Sequence, residues 1–304
     1  MARKSSKKTV LDLDRLVSEF IVPPEQRISL AKQYKTCADL STVSKDELIA
    51  RLDQGVVQLA EEQNKLYAEN KQSVLIILQA MDAAGKDSTI KHVMSGLNPQ
   101  SCQVRSFKVP SAEEMDHDYL WRYNKALPER GCIGIFNRSY YEEVLVVRVH
   151  PEILDRQQLP GHLLDKKIWK RRFDEINNLE KYLTDNGTVV LKFFLYLSKE
   201  EQKKRFLARI DRPDKNWKFS ADDARDRQKW KDYIEAYEDC FANTSTKWAP
   251  WYVIPADRKP LTRLIVAHII QRTLKSLKCK YPTVTKAQQE ELVQARKILL
   301  EEKD

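Results

Sequence analysis

The sequence predicts an α/β fold, a mainly parallel sheet flanked by helices. Three observations lead there. Short apolar runs rich in Val, Ile and Leu occur at 74–78, 132–136, 189–197 and 251–254. Helical periodicity fills the intervals between them, and strands that alternate with helices join through right-handed crossovers into a parallel sheet. The first run leads straight into Met81-Asp82-Ala83-Ala84-Gly85-Lys86-Asp87-Ser88-Thr89, a small-residue loop that opens a helical pattern carried by Ile90, Val93, Met94 and Leu97.

Each element follows in chain order. Residues 1–12 carry Arg3, Lys4, Lys7 and Lys8 and are expected to form a mobile basic tail. A helix is expected over 44–70, with Ser44 as its cap, Glu47 three residues on, and an apolar stripe of Leu48, Leu52, Val56, Leu59 and Leu66. After the first strand and its loop, Asn98-Pro99 turns the chain. A second strand is expected over 103–109 and a helix from Ser111 to about residue 125. The third strand runs from Cys132 into Asn137-Arg138-Ser139-Tyr140-Tyr141-Glu142, polar residues at the end of a strand where open α/β sheets place ligand groups. A helix over 163–185 carries Lys166, Lys167, Lys170, Arg171 and Arg172, a stripe that either lines an anion channel or marks a solvated face. A long strand over 189–197 leads to a helix capped by Ser198, and Pro213 breaks that helix. A further helix capped by Ser220, a strand over 251–254, a helix over 261–275 and a periodic segment over 286–301 complete the chain. The expected division is a basic extension over 1–30, a main α/β domain over 31–280 and a helical tail over 281–304.

Composition narrows the function. The 304 residues carry 53 basic and 44 acidic side chains, a net charge of +9, which suits a polyanionic partner: a nucleotide, inorganic polyphosphate or nucleic acid. Five cysteines, at 37, 102, 132, 240 and 279, are scattered without C-x-x-C spacing, which argues against a disulfide framework or a zinc site and for a cytoplasmic protein. The basic N-terminus has no apolar stretch behind it, so a signal peptide is not expected. No apolar run approaches the ~20 residues that span a bilayer, so no membrane role is expected.

The loop over 81–89 is the strongest motif. Strand, small-residue loop, Gly-Lys and helix is the layout that cradles phosphate. Backbone N–H groups at a helix start lack partners and carry partial positive charge, and Lys86 adds a full one. The generic signature is met only in part: Ala80 stands where the first Gly would, and Asp87 occupies the Ser/Thr slot.

Three separated motifs then agree. Met81-Asp82-Ala83-Ala84-Gly85-Lys86-Asp87, Phe136-Asn137-Arg138-Ser139-Tyr140-Tyr141-Glu142 and Arg209-Ile210-Asp211-Arg212-Pro213-Asp214-Lys215-Asn216-Trp217-Lys218 resemble, in order and spacing, the polyphosphate kinase 2 family, across roughly residues 30–275. The resemblance implies a thymidylate kinase-like sheet with a helical lid, and Mg2+-dependent transfer of the terminal phosphoryl group of polyphosphate to nucleoside mono- and diphosphates. It also implies a homo-oligomer, a dimer or tetramer. Many members have Asp where Asn137 stands; Asn resembles the subgroup that accepts both AMP and ADP.

Roles follow for the matched positions. Phosphoryl transfer to an ionised phosphate oxygen needs cations and a metal ligand rather than a general base. Lys86 with the loop residues Ala83, Ala84, Gly85, Asp87 and Ser88 is expected to hold phosphate. Asp82 is the expected ligand for Mg2+, with Mn2+ as a substitute. Arg138 is expected to grip the acceptor phosphate, with Asn137 and Glu142 beside it at the nucleotide. Arg205, Arg209 and Lys218 are expected to close from the lid as transition-state cations. Two other readings stay open: an ATP-dependent nucleotide or small-molecule kinase, and a nucleic-acid-binding P-loop protein. The latter lacks an aromatic-basic RNA signature or a DNA-reading motif, so no nucleic-acid partner is expected.

Overall fold

A computed structural model describes residues 12–37 and 43–302. In chain order the elements are α1 (Leu13–Phe20), α2 (Leu30–Gln33), α3 (Lys45–Glu69), β1 (Ser73–Ala80), α4 (Lys86–Val93), β2 (Cys102–Ser106), α5 (Ala112–Met115), α6 (Trp121–Asn124) and β3 (Ile133–Asn137). There follow α7 (Val146–Val149), α8 (Ile168–Asp185), β4 (Thr188–Tyr196), α9 (Lys199–Ile210), α10 (Ala221–Asp226), α11 (Trp230–Thr244), β5 (Trp251–Pro255), α12 (Lys259–Ser276) and α13 (Lys286–Glu301). The strands form one five-stranded sheet in the order β2-β3-β1-β4-β5, and every pairing is parallel.

Period-two alternation sends each strand's side chains to two cores. Val74, Ile76 and Leu78 of β1 join Ile133, Ile135, Leu191 and Phe193 under α3, α4 and α12. Leu75 and Ile77 face the other way, into an aromatic core with Phe136, Phe194, Tyr237, Phe241 and Trp251. With β1 buried on both faces, its apolar run is continuous rather than alternating. Parallel strands bring all their carboxyl ends to one edge. The loops after β1, β3, β4 and β5 therefore meet there.

Several elements differ from the sequence reading. Residues 12–30, read as part of a basic extension, pack against the sheet. Val17, Phe20 and Val22 are buried, Val22 N donates to Trp251 O (2.8 Å), and Ile21 bridges Tyr252 antiparallel to the sheet. The expected tail over 1–12 lies outside the described residues except for Asp12, which caps α1 through Arg15 N. The helix expected after Ser111 is two short turns, α5 and α6. Asp118 breaks it by accepting from Leu120 N (2.9 Å), a local bond that competes with the helical one. The helix over 163–185 begins only at Ile168, because Asp165 accepts from Lys167 N (3.0 Å) and ends the preceding turn. α13 forms as the periodicity suggested, with Thr285 and Gln288 as a capping box, but it has no buried residue. Among the described residues no helix is long and apolar enough to cross a membrane.

Candidate active site

Five loop residues, 81–85, join β1 to α4. Ala83 and Gly85 both sit in the left-handed region, at φ +62° and +104°. Gly85 is the residue type that adopts that conformation without penalty, and it caps α4 directly. Left-handed turns of this kind can present N–H groups to an anion. Lys86, first residue of α4, folds back so that Nζ donates to Ala80 O (3.1 Å). Burial lowers its pKa, as does the guanidinium of Arg138, while Asp82, Glu142 and Asp87 oppose the shift.

The exit of β3 lies beside this loop because β3 is hydrogen-bonded to β1. Arg138 takes φ +66°, a strained position for a long side chain, and its own N–H donates to Leu78 O (3.1 Å). Its guanidinium spans two carboxylates, Asp82 at 3.2 Å and Glu142 at 3.5 Å. Glu142 first and then Asp82 raise its pKa. Asn137 Nδ2 donates to Asp87 Oδ1 (2.7 Å), tying the β3 exit to the first turn of α4. Ser88 accepts from Arg263 Nη2 (2.6 Å), so its hydroxyl is engaged by α12. Lys86, Asp82, Arg138, Asn137, Glu142, Asp87 and the loop are thus gathered at one place.

The α9 residues divide. Arg205 was expected to close from the lid, but it is 8% exposed and directs all five N–H donors to the protein. Nε donates to Glu201 (2.9 Å), Nη1 to Ala83 O (3.1 Å) and Ala84 O (3.0 Å), and Nη2 to Ala256 O (2.8 Å) and Asp257 O (3.0 Å). A guanidinium so committed has no donor left for phosphate. Arg209, one turn further, is held only loosely by Asp223 of α10, at 3.9 Å. Lys218 lies in a single turn after α9, Asn216–Lys218.

Sequence reasoning missed two residues here. Gln202 donates from Nε2 to Asp82 O (3.0 Å); a neutral side chain in a charged helix gave no signal. Asp223 lies near enough to Asp82 for the two charges to interact: burial first, and then Asp82, raises its pKa. Among the described residues no three His, Cys, Asp or Glu side chains come together as a metal cage. The carboxylates of Asp82 and Glu142, both within reach of Arg138, are hard oxygen donors of the kind Mg2+ takes together with phosphate oxygens and water. The basic stripe on α8 is largely self-neutralised. Lys170 pairs with Asp174 (2.7 Å) and Arg171 with Asp165 (2.8 Å), while Arg172 is buried over the Tyr119 ring at 3.9 Å.

Comparison with known proteins decides the family. The family model described as polyphosphate kinase 2 matches residues 42–282. The chain belongs to the polyphosphate kinase 2 family. An ADP-polyphosphate phosphotransferase of Rhodopseudomonas palustris is 53% identical over 93% of this chain and 98% of its own length. An AMP/ADP-polyphosphate phosphotransferase of Meiothermus ruber is 46% identical over 74% of this chain and 80% of its own length. The crystal structure of a polyphosphate kinase 2 from Arthrobacter aurescens superposes with a TM-score of 0.80 at 37% identity, covering 90% of this chain and 97% of that one. The chain is a phosphotransferase of this family, and the parallel sheet flanked by helices is the family's fold.

Proposed function

We propose that this protein transfers the terminal phosphoryl group of inorganic polyphosphate to nucleoside mono- and diphosphates, AMP to ADP and ADP to ATP, with guanine nucleotides as further acceptors and the reverse reaction through the same site. The observation that carries the reading is the convergence of the phosphate loop and Arg138 on Asp82, with Arg138 at 3.2 Å from that carboxylate. Family membership identifies the donor as polyphosphate.

The attacking group is a phosphate oxygen, already ionised, so the chain has to hold two anions together and neutralise the charge that spreads over the moving group. Lys86 rests on Ala80 O and is released to a phosphate by a change of rotamer. Arg138 has a planar fork that can bind the acceptor phosphate bidentately once Asp82 and Glu142 share it less closely. Arg209, loosely held at 3.9 Å, is the lid cation free to re-pair on closure, with Lys218 carried on the same segment. Asp82 would hold Mg2+, or Mn2+ in its place, which supplies Lewis-acid neutralisation of the phosphates. Beyond the loop, burial first and then the like charges of Arg205, Arg263 and Lys215 lower the pKa of Lys259. That concentration of cations suits a long polyanion.

A cytoplasmic homo-oligomer is part of the proposal. Unbridged cysteines support the compartment, and the exposed Leu292, Val293, Ile298 and Leu299 of α13 support self-association.

A donor–acceptor matrix tests the function: polyphosphate or ATP against AMP, ADP, GMP and GDP, with and without Mg2+. Polyphosphate with ADP and Mg2+ is expected to give ATP. Transfer from ATP alone, with polyphosphate inert toward every acceptor, would replace this reading with an ATP-dependent kinase.

A further inference from the structure

One face of α9 holds the backbone of the phosphate loop. Gln202 Nε2 donates to Asp82 O (3.0 Å), and Arg205 Nη1 donates to Ala83 O (3.1 Å) and Ala84 O (3.0 Å). Gln202 and Arg205 stand three positions apart, so they share a helical face, and they are 2% and 8% exposed. Three successive carbonyl oxygens of the loop are therefore drawn toward α9. In a planar trans peptide the carbonyl and the N–H of the same unit point in opposite directions. Holding the carbonyls of Asp82 and Ala84 turns the N–H groups of Ala83 and Gly85 to the far side. The N–H between them, of Ala84, closes a turn onto Met81 O (3.3 Å).

Both clamps are themselves oriented. Gln202 Oε1 accepts from Arg227 Nη1 (2.9 Å), which also donates to Lys199 O (2.7 Å). Arginine only donates, so the Gln202 amide must present its oxygen to Arg227 and its nitrogen to Asp82 O. Arg205 is keyed by Glu201 on one side and by the carbonyls after β5 on the other.

We propose that Gln202 and Arg205 are positioning residues that fix the loop carbonyls from behind, so that the loop amides face the phosphate before any phosphate arrives. The proposal rests on the reading of 81–85 as a phosphate-gripping loop. It explains why a buried arginine inside a lid-proximal helix has no donor for substrate, and why a lone glutamine is buried there. Amides already aimed at the anion need no rearrangement at the moment of reaction.

The variants Gln202→Leu, Gln202→Glu and Arg205→Lys test it, with Lys86→Ala as the reference for the loop itself. Gln202→Glu keeps shape and a partner for Arg227 but offers Asp82 O no donor. Arg205→Lys keeps the charge with three donors in place of five. Each purified full-length variant is measured for its melting temperature, the dissociation constant of tripolyphosphate, and kcat and KM with polyphosphate and ADP. The expected result is that tripolyphosphate affinity and kcat each fall about tenfold in the Gln202 variants, the effect of one lost hydrogen bond to a polar group. KM for ADP stays within about twofold and the melting temperature within about 5 °C, because one buried hydrogen bond is a small part of total stability. Arg205→Lys is expected to lose at least as much. Affinity and kcat within about twofold of the parent in all three variants would overturn the proposal, as would losses that raise KM for ADP equally and track the melting temperature. If Lys86→Ala binds tripolyphosphate like the parent, the phosphate-loop reading itself fails. If Lys86→Ala loses binding and the α9 variants do not, only the positioning role fails.

Discussion

Replacing Lys192 by methionine should unfold much of the margin that keeps this protein folded, and should do so through the active site's own support. Lys192 lies inside β4 and Glu180 on α8, both 0% exposed. The ammonium makes three bonds, to Glu180 Oε2 (2.6 Å), Tyr141 OH (3.0 Å) and Thr244 O (2.7 Å), which uses every donor it has. Glu180 Oε1 in turn accepts from Tyr140 OH (3.0 Å) and Tyr141 OH (2.8 Å). Lys192→Met leaves a buried carboxylate without its counter-charge, which costs about 3–5 kcal/mol. In a domain of this size that lowers the melting temperature by about 6–20 °C. The double variant Lys192→Met/Glu180→Gln removes both charges and keeps an acceptor for the two tyrosines, so it should cost less than the sum of its singles by about 2 kcal/mol or more. Tyr140 and Tyr141 follow Arg138 by two and three residues, so activity at temperatures where the single variant is still folded should also fall. The assay is a urea-denaturation cycle over the four proteins, with activity measured beside it. A Lys192→Met protein within about 1 kcal/mol of the parent, or a double variant equal to the sum of the singles, would refute the reasoning.

Other outcomes follow from the same geometry. Arg138→Ala should lower kcat by about 10²–10³, the scale set by removing a transition-state donor, with little change in melting temperature, since its partners Asp82 and Glu142 are partly exposed and re-solvate. Asn137→Asp would set a carboxylate 2.7 Å from Asp87, so that the pair retains a proton above the ordinary carboxylate range. The native state then binds more protons than the unfolded one, and the variant's stability should fall, relative to the parent, as pH rises from about 5 to 8; thermal melts across pH would show it. Lys86 is protonated below its lowered pKa and neutral above it, so kcat/KM for polyphosphate should decline on the alkaline side earlier than an ordinary lysine would dictate. Lys86→Arg should remove that alkaline decline whatever it costs in rate.

Much of this architecture was legible in the residues, for identifiable reasons. A β1 run buried on both faces must be uniformly apolar, and Val74 to Leu78 is. Ser44 and Ser198 announced their helices because each caps one, accepting from Glu47 N and Glu201 N. Asp82, Lys86 and Arg138 converge because β3 pairs with β1 and their carboxyl ends lie side by side; strand–helix alternation implied a parallel sheet but not that β3, rather than β2, is the neighbour of β1. The errors came where a neighbour, not a pattern, decides. Periodicity located Arg205 on α9 but could not say that this face meets the loop carbonyls rather than solvent, so a structural guanidinium read as a mobile one. Gln202 was invisible for the same reason. Asp116-His117-Asp118 looked compatible with helix until the local bond from Leu120 N to Asp118 Oδ1 broke it. Lys192 did leave a trace, since a charge within Val190-Leu191-Lys192-Phe193-Phe194 must find a buried partner, but the sequence could not name Glu180.

The central claim is that a loop gripping donor phosphate and an arginine gripping acceptor phosphate meet at Asp82. Its most direct test is ATP formation from ADP and polyphosphate, with no other phosphoryl donor present, by the parent protein and by Lys86→Ala of matched melting temperature. Rapid, Mg2+-dependent ATP synthesis by the parent and a loss of at least about a hundredfold in the variant are expected. Comparable ATP synthesis by both proteins would contradict the claim.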